Sequence, residues 1–410
     1  MSTATGSSSI IVGVTGGIAA FKGVETIRLL SEAGYNVEVI ATNSALQFVG
    51  EATMAALSGN QVHTDSWAEV HNVPHVTLAR SAKAIVVVPA TADFMARLTH
   101  GRADDLLTAT ILTATCPIIL APAMHTEMWE NPATQENVAT LRKRGVVVLE
   151  PAVGRLTGVD SGKGRLSEPS SIAIAVEHAL NSDGEFADLA GKHLVITAGG
   201  TREAIDPVRF ISNRSSGKQG FAIAAVAAAR GARVTLINAN SNLPTPAGVD
   251  VVNVESADEL LRAVLQNITK ADALIMVAAV ADYRPTSVTE SKIKKSSGGL
   301  ENIPLSENPD ILRTVVELKK PNFTVVGFAA ETGDANQSAL EYGLIKLATK
   351  GVDALVVNQV GVGLGFEVDE NAVTIVSPHF EPITVPATSK AKIAETVCNV
   401  VKTLISRTNI

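Results

Sequence analysis

Short apolar runs alternate with longer amphipathic or alanine-rich stretches along almost the whole chain. Ile10–Val14, Asn36–Ala41, Ala84–Pro89, Pro117–Ala121 and Val146–Leu149 are short and rich in β-branched residues. Such runs read as buried strands. Between them Ile18–Ala33, Asp104–Ala114 and Ala133–Arg144 have helical length. A βαβ series of this kind predicts a doubly wound parallel sheet. The polar, glycine-containing stretch Asn181–Gly191 interrupts the pattern, which then restarts. Strands are expected at His193–Ala198, Arg233–Asn238, Val249–Val254, Ala273–Ala278, Phe323–Phe328 and Ala354–Asn358. Helices are expected at Lys218–Arg230, Ala257–Ile268, Asp310–Glu317, Asn336–Lys350 and Ser389–Ile405. The chain therefore reads as α/β, with two doubly wound parallel-sheet domains at 1–180 and 192–410 and a linker at 181–191. Thr286–Ile303, with its Ser296–Gly299 tract, reads as a flap.

Composition agrees with that architecture. The 410 residues are 46% hydrophobic but only 4% aromatic, which suits parallel strands packed on small-residue helices. A net charge of −7 opposes a nucleic-acid partner. Two cysteines, Cys116 and Cys398, are too few for a disulfide framework and fit a reducing, cytoplasmic setting. Met1–Ser9 lacks the basic and apolar regions of a signal peptide. No apolar run reaches the roughly 18 residues of a membrane span.

The loops after the strands carry the candidate chemistry, because open α/β sheets bind ligands at strand C-termini. The longest is Gly199–Lys218, between a buried strand and an alanine-rich helix. It offers backbone N–H groups, hydroxyls and cations together, which suits a polyphosphate. It carries no Walker A pattern. In the first half, Gly13–Ala20 closes a strand and opens a helix, reading as a phosphate turn or as a plain tight turn. Thr42–Ala45, Pro89–Phe94 and Ala121–Trp129 follow strands on the same edge. His71 and His75 are four apart, but Pro74 is expected to oppose a helix there, so a zinc pair is not expected.

Val73–Val76, Pro89–Phe94 and Pro122–Trp129 together resemble the signatures of the homo-oligomeric flavin-containing cysteine decarboxylases, over nearly all of the first 180 residues. The resemblance implies FMN and decarboxylation of an acyl-linked cysteine. A plain cysteine carboxylate has no electron sink; oxidising its thiol end by hydride transfer to flavin creates one, and the hydride is returned after CO₂ leaves. It implies His75 as base or orienting group. It implies flavin contacts at Gly16, Gly17, Ile18, Thr42, Ser44, Pro89, Ala90, Thr91, Ala92, Ala121 and Met124. His125 stands where the family has an asparagine, and an imidazole can still donate a hydrogen bond to the substrate. The segment Gly154–Arg165 lacks the cysteine that many members use as a proton donor, leaving Asp160, another side chain or water. Cys116 reads as a packed small residue.

The second half resembles phosphopantothenate–cysteine ligase through Gly199–Lys218, Ala278–Pro285, Lys292–Lys295, Phe328–Thr332 and Asp353–Asn358. The order of the two halves resembles the bifunctional bacterial enzymes of coenzyme A synthesis. That implies CTP, Mg²⁺, 4′-phosphopantothenate and L-cysteine as ligands, and activation of the carboxylate as an acyl-cytidylate. Asn213 would bond the activated acyl group and Lys292 would neutralise charge near the α-phosphate. Nucleotide contacts are implied at Gly199, Gly200, Thr201, Ser215, Ser216, Gly217, Ala278, Ala279, Asn308, Pro309, Asp310, Ile311 and Phe328. Asp282 would hold nucleotide hydroxyls or Mg²⁺, or serve as a turn residue. Lys346 and Lys350, four apart, would face the triphosphate or solvent. The resemblance also implies a homo-oligomer of trimeric flavoprotein cores and dimeric ligase domains, up to a dodecamer. An NAD(P)-dependent two-domain oxidoreductase is the rival enzyme, without an acidic ribose-binding residue to support it. An inactive flavoprotein regulatory subunit is the non-enzymatic rival.

Overall fold

The computed structural model describes residues 9–65, 73–156, 158, 160–181, 187–294, 302–333, 337–359 and 370–408. The chain divides into two compact units, the first of Met1–Asp188 with Pro246–Gly248 and the second of Leu189–Thr245 and Val249–Ile410.

The first unit runs β1 (Ser9–Val14), α1 (Ala20–Glu32), β2 (Val37–Ala41), α2 (Glu51–Ser58), β3 (Val62–His63), α3 (Pro74–Ser81), β4 (Ala82–Ala90), α4 (Ala92–Thr99) and α5 (Leu106–Thr113). It continues with β5 (Ile118–Pro122), α6 (Thr126–Glu130), α7 (Pro132–Lys143), β6 (Val147–Val148), β7 (Ala152–Arg155), β8 (Ser161–Arg165) and α8 (Pro169–Asn181). Six strands form one parallel sheet in the order β3-β2-β1-β4-β5-β6. Every residue of β1 is buried, as expected of a strand covered on both faces. Ile11, Ile85, Val87, Phe94, Leu107 and Trp129 meet in the core on one side of the sheet. The order reverses between β1 and β4, so a crevice opens there at the strand C-termini. Outside the sheet, β7 and β8 form an antiparallel hairpin.

The second unit runs β9 (His193–Gly199), β10 (Arg202–Ala204), β11 (Phe210–Ser212), α9 (Lys218–Ala229), β12 (Arg233–Ala239), β13 (Val249–Val254), α10 (Ala257–Asn267) and β14 (Ala273–Met276). It continues with β15 (Tyr283–Pro285), β16 (Leu305–Glu307), α11 (Ile311–Leu318), β17 (Thr324–Glu331), α12 (Ala339–Lys350), β18 (Ala354–Gln359), β19 (Glu370–Ser377), β20 (Phe380–Ser389) and α13 (Lys390–Thr408). Its eight-stranded sheet has the order β13-β12-β9-β14-β17-β18-β19-β20. The ladder is parallel through β18 and antiparallel for the last two strands. The reversal between β12 and β14 around β9 creates a second switch point.

Three features depart from the expected pattern. Pro74 starts α3 at its first helical position, where its missing N–H costs nothing. His71 lies outside the described residues. β14 ends at Met276, because the N–H groups of Val277 and Ala278 turn to Thr197 Oγ1, each at 3.0 Å. β19 and β20 were not expected. Pro382 and Pro386 in β20 cannot donate to a ladder, and β20 is the sheet edge, where proline is tolerated. Of the expected flap, Ser296–Gly299 lies outside the described residues. Among the described residues no helix is long and apolar enough to cross a membrane.

Candidate functional site

In the first unit the four strand-end loops converge on the β1/β4 switch point. The turn after β1 lies against the loop after β2: a Cβ on Gly16 would sit 2.3 Å from Ser44 Cβ. Gly17 is roomier, its nearest neighbours being Thr91 and Pro89 at 3.8 and 4.0 Å from such a Cβ. Thr15 Oγ1 donates to the Pro89 carbonyl at 2.6 Å, joining the ends of β1 and β4. The Ala123 N–H donates to the Ala90 carbonyl at 3.2 Å, joining the loop after β5. Thr91 caps α4 by accepting the Phe94 N–H. Thr42 and Ala121 are buried, and Ile18 stands 59% exposed. Ala92 is the first residue of α4. The N-cap of α1, Ala19, has no side-chain acceptor; the Ala20 and Lys22 N–H groups turn back to the Gly17 and Ala19 carbonyls at 2.9 and 3.0 Å, which leaves the Phe21 N–H of the first turn for an anion. A phosphate-bearing cofactor therefore fits: an uncapped helix N-terminus, a side-chain-free turn and hydroxyls meet at one edge.

His75 is half-buried in the first turn of α3, and neither ring nitrogen has a hydrogen-bond partner among the described residues. His125 is the N-cap of α6, and its Nδ1 lies 3.0 Å from Asp160 Oδ2. The β7–β8 hairpin sits tightly on this loop. The Met124 N–H donates to the Gly164 carbonyl at 3.0 Å, and a Cβ on Gly164 would lie 2.2 Å from the Met124 carbonyl oxygen. Cys116 packs against the core, and burial pushes its thiol up, as befits a packed residue.

In the second unit a cavity of ≈ 880 Å³ opens over the β9/β14 switch point. Of the expected residues, Gly199, Asn213, Ser215, Ser216, Gly217, Ala278, Ala279, Asp282, Asn308, Pro309, Asp310, Ile311, Phe328, Lys346 and Lys350 line it. The N-cap of α9, Gly217, is left-handed and has no side-chain acceptor, so the helix N-terminus opens into the cavity. Gly200 and Thr201 lie behind the wall instead. Gly200 bridges to Ala279, and Thr201 Oγ1 accepts the Ala281 N–H at 3.0 Å. Asn213 Nδ2 donates to the Val280 carbonyl at 2.8 Å, which pins that amide to the loop after β14.

Two expectations about charge change. Lys346 and Lys350 both line the cavity, but each is held by a carboxylate. Lys346 lies 2.6 Å from Glu331, and Lys350 pairs with Asp310. Burial pushes the Asp310 carboxyl up, but Lys350 and the Arg313 N–H outweigh it and hold it below the usual range. Lys292 is exposed and is not part of the cavity wall. Its neighbour Ile293 is anchored: the Ile293 N–H donates to Asp206 Oδ2 at 3.2 Å, and Arg209 donates to the Ile293 carbonyl at 2.9 Å. Among the described residues no group of three or more His, Cys, Asp or Glu is placed to hold a metal. Asp282 is exposed on the cavity rim. Arg214, Lys218 and Asn358, which belong to the quoted motifs but were given no individual role, also line the cavity, as do Gln219 and Lys390, which were not expected. Lys218, Gln219 and Asn358 had a readable signal, namely a place at a helix start or strand end on the binding edge.

Residues 1–181 match a family profile described as flavoprotein, and residues 189–404 match the DNA/pantothenate metabolism flavoprotein C-terminal domain. The coenzyme A biosynthesis bifunctional protein CoaBC of Mycobacterium tuberculosis is 58% identical over 369 residues, covering 88% of each chain. The chain belongs to the CoaBC family. It is a bifunctional enzyme of coenzyme A biosynthesis, a phosphopantothenoylcysteine decarboxylase and a phosphopantothenate–cysteine ligase in one chain. The CoaBC protein of Haemophilus influenzae is 47% identical over 89% of this chain and 90% of its own. Among solved structures, the C-terminal domain of a CoaBC protein aligns with a TM-score of 0.46 and 38% identity, over 54% of this chain and 99% of that one.

Proposed function

We propose that residues 1–180 form an FMN-dependent decarboxylase domain and residues 192–410 a CTP-dependent ligase domain, joined by a linker at 181–191. The ligase half couples L-cysteine to 4′-phosphopantothenate, and the decarboxylase half converts the product to 4′-phosphopantetheine. The observation that carries this reading is the pair of switch-point sites, each with an uncapped helix N-terminus aimed at its crevice.

In the ligase cavity the Ser215–Gly217 turn and the α9 N-terminus hold the phosphates of CTP. Asn213 orients the activated acyl group; Lys292 stands outside the cavity wall, and its role in neutralising charge as pyrophosphate leaves rests on the ligase resemblance alone. Mg²⁺ fits as a nucleotide-borne ion, because one exposed carboxylate, Asp282, plus phosphate oxygens is a usual ligand set for it. In the first unit the Gly16–Gly17 turn and the α1 N-terminus hold the FMN phosphate, while Thr42, Ser44, Pro89 to Ala92, Ala121 and Met124 line the remainder. When bound there, FMN would supply the electron sink for decarboxylation as a reversible hydride acceptor. His75 serves as base at the thiol end of the substrate, and its unpartnered ring supports that role. Ile18 and Phe21, 59% and 60% exposed beside the flavin turn, support a homo-oligomer that covers them. Cys116 and Cys398 form no disulfide, which supports a cytoplasmic setting.

The test uses full-length protein with 4′-phosphopantothenate and cysteine. CTP should drive pyrophosphate release and ATP should not, and CO₂ should follow from the flavin-loaded protein. Release that is indifferent to the nucleotide base would sink the CTP assignment.

A further inference from the structure

His125 and Asp160 meet across segments 35 residues apart, Nδ1 to Oδ2 at 3.0 Å. An ionised carboxylate only accepts hydrogen bonds, so the shared proton sits on Nδ1. Both partners are fixed from behind. Asp160 Oδ1 accepts the Gly158 N–H at 3.2 Å, and its carbonyl accepts the Leu156 N–H at 3.0 Å. The His125 carbonyl accepts the N–H groups of Met128 and Trp129, each at 3.0 Å. The hairpin that carries Asp160 leaves no room for a side chain at Gly162, where a Cβ would lie 2.3 Å from Thr126 Oγ1. His125 Nε2 has no partner among the described residues. The two side chains are 50% and 47% exposed, so the pair contributes little to stability and its consequence is orientation.

We propose that Asp160 is a positioning residue of the decarboxylase, holding His125 as the Nδ1–H tautomer so that Nε2 is the atom that exchanges protons with the cysteinyl end of the substrate. The proposal rests on the first unit being the decarboxylase. Decarboxylation breaks the bond between Cα and the carboxylate, and its electron pair stays with the organic fragment. One proton must then arrive. The imidazolium Nε2–H delivers it, the ring becomes the neutral Nδ1–H form, and Nε2 regains a proton from water. While the ring is charged, the Asp160 carboxylate lies against it.

Two measurements on full-length protein test this. Solid-state ¹⁵N spectra of histidine-labelled protein without substrate, with His125→Gln to identify the signal, should show the neutral His125 ring unprotonated at Nε2. Asp160→Ala should move the proton to Nε2. An unchanged tautomer overturns the proposal. In turnover, Asp160→Ala should lower the decarboxylation kcat about tenfold or more, with KM little changed and ligase turnover at the wild-type level. Asp160→Glu, which restores a carboxylate, should recover part of that loss. Wild-type kcat in Asp160→Ala, or an equal loss in both activities, overturns it. A wild-type protein that forms acyl-cysteine product but never decarboxylates it would instead sink the reading of the first unit.

Discussion

The ammonium of Lys346 on α12, which lines the ligase cavity, lies 2.6 Å from Glu331 Oε1 at the end of β17, just outside the cavity lining. A triphosphate must compete with Glu331 for this cation. Glu331→Gln should therefore strengthen CTP binding about fivefold at low salt, the worth of one partly exposed ion pair. The gain should fade as salt rises. Calorimetric titration with CTP checks it. Weaker binding in Glu331→Gln would mean that the carboxylate itself serves the ligand.

Asp206 anchors the segment that carries Lys292. The Arg209 guanidinium, outweighing burial, and the N–H groups of Val208, Ile293 and Arg209 hold its carboxyl well below the usual carboxylate range. A depressed carboxylate pKa stabilises the fold above the unfolded value, about 3.9, and that contribution disappears only as pH falls through the lower folded value. The melting temperatures of wild type and Asp206→Asn should differ by a constant amount from pH 5 to 8 and converge only below about pH 4. Asp206→Asn should also slow the ligase by loosening Lys292. Curves that converge near pH 6 would show that another group controls the difference.

His75→Asn should abolish decarboxylation and leave CTP-dependent coupling intact, because the two sites lie in separate compact units. Accumulation of 4′-phosphopantothenoylcysteine is the readout. Decarboxylation at the wild-type rate would remove His75 from the chemistry.

Asn213 and Lys292 should act on different steps. Lys292→Gln should slow acyl-cytidylate formation by roughly a hundredfold, the usual loss for one preorganised electrostatic contact. Asn213→Asp removes the amide that donates to the Val280 carbonyl and sets a carboxylate against that oxygen. It should still form the cytidylate but transfer it slowly to cysteine, so the intermediate accumulates. Quenched reactions with labelled CTP, with and without cysteine, separate the two. Equal block of pyrophosphate release in both variants would place Asn213 in the activation step.

Gly164→Ala should unseat the β7–β8 hairpin. Its φ of +149° and the 2.2 Å approach of the Met124 carbonyl leave no place for a Cβ. Proteolysis within Gly154–Arg165 should accelerate, decarboxylation should fall, and the ligase should be unaffected. A protected hairpin with full activity would contradict this seating.

The alternating apolar runs located the sheet strands of both parallel ladders apart from the two-residue β3, and the glycine-rich loops lay at the binding edge as expected, because strand period, helix length and turn chemistry are local properties. Length alone did not decide which helices were legible: the eight-residue α5 and α11 were expected, whereas the equally short α2 and α4 and the 13-residue α8 escaped notice. Pro74 was legible as a breaker but not as a helix start, a choice its downstream neighbours make. The spacing of Lys346 and Lys350 correctly put both on one face of α12. That carboxylates from β17 and the start of α11 hold them could not be read, because Asp310 lies 40 residues from Lys350 in sequence. The same holds for Asp206 with Ile293, 87 residues apart, and His125 with Asp160, 35 apart. Local pattern thus specified the elements and the edge at which ligands bind. Which charges meet there depended on strand order and hairpin seating, and these follow from packing between segments that no short window of sequence contains.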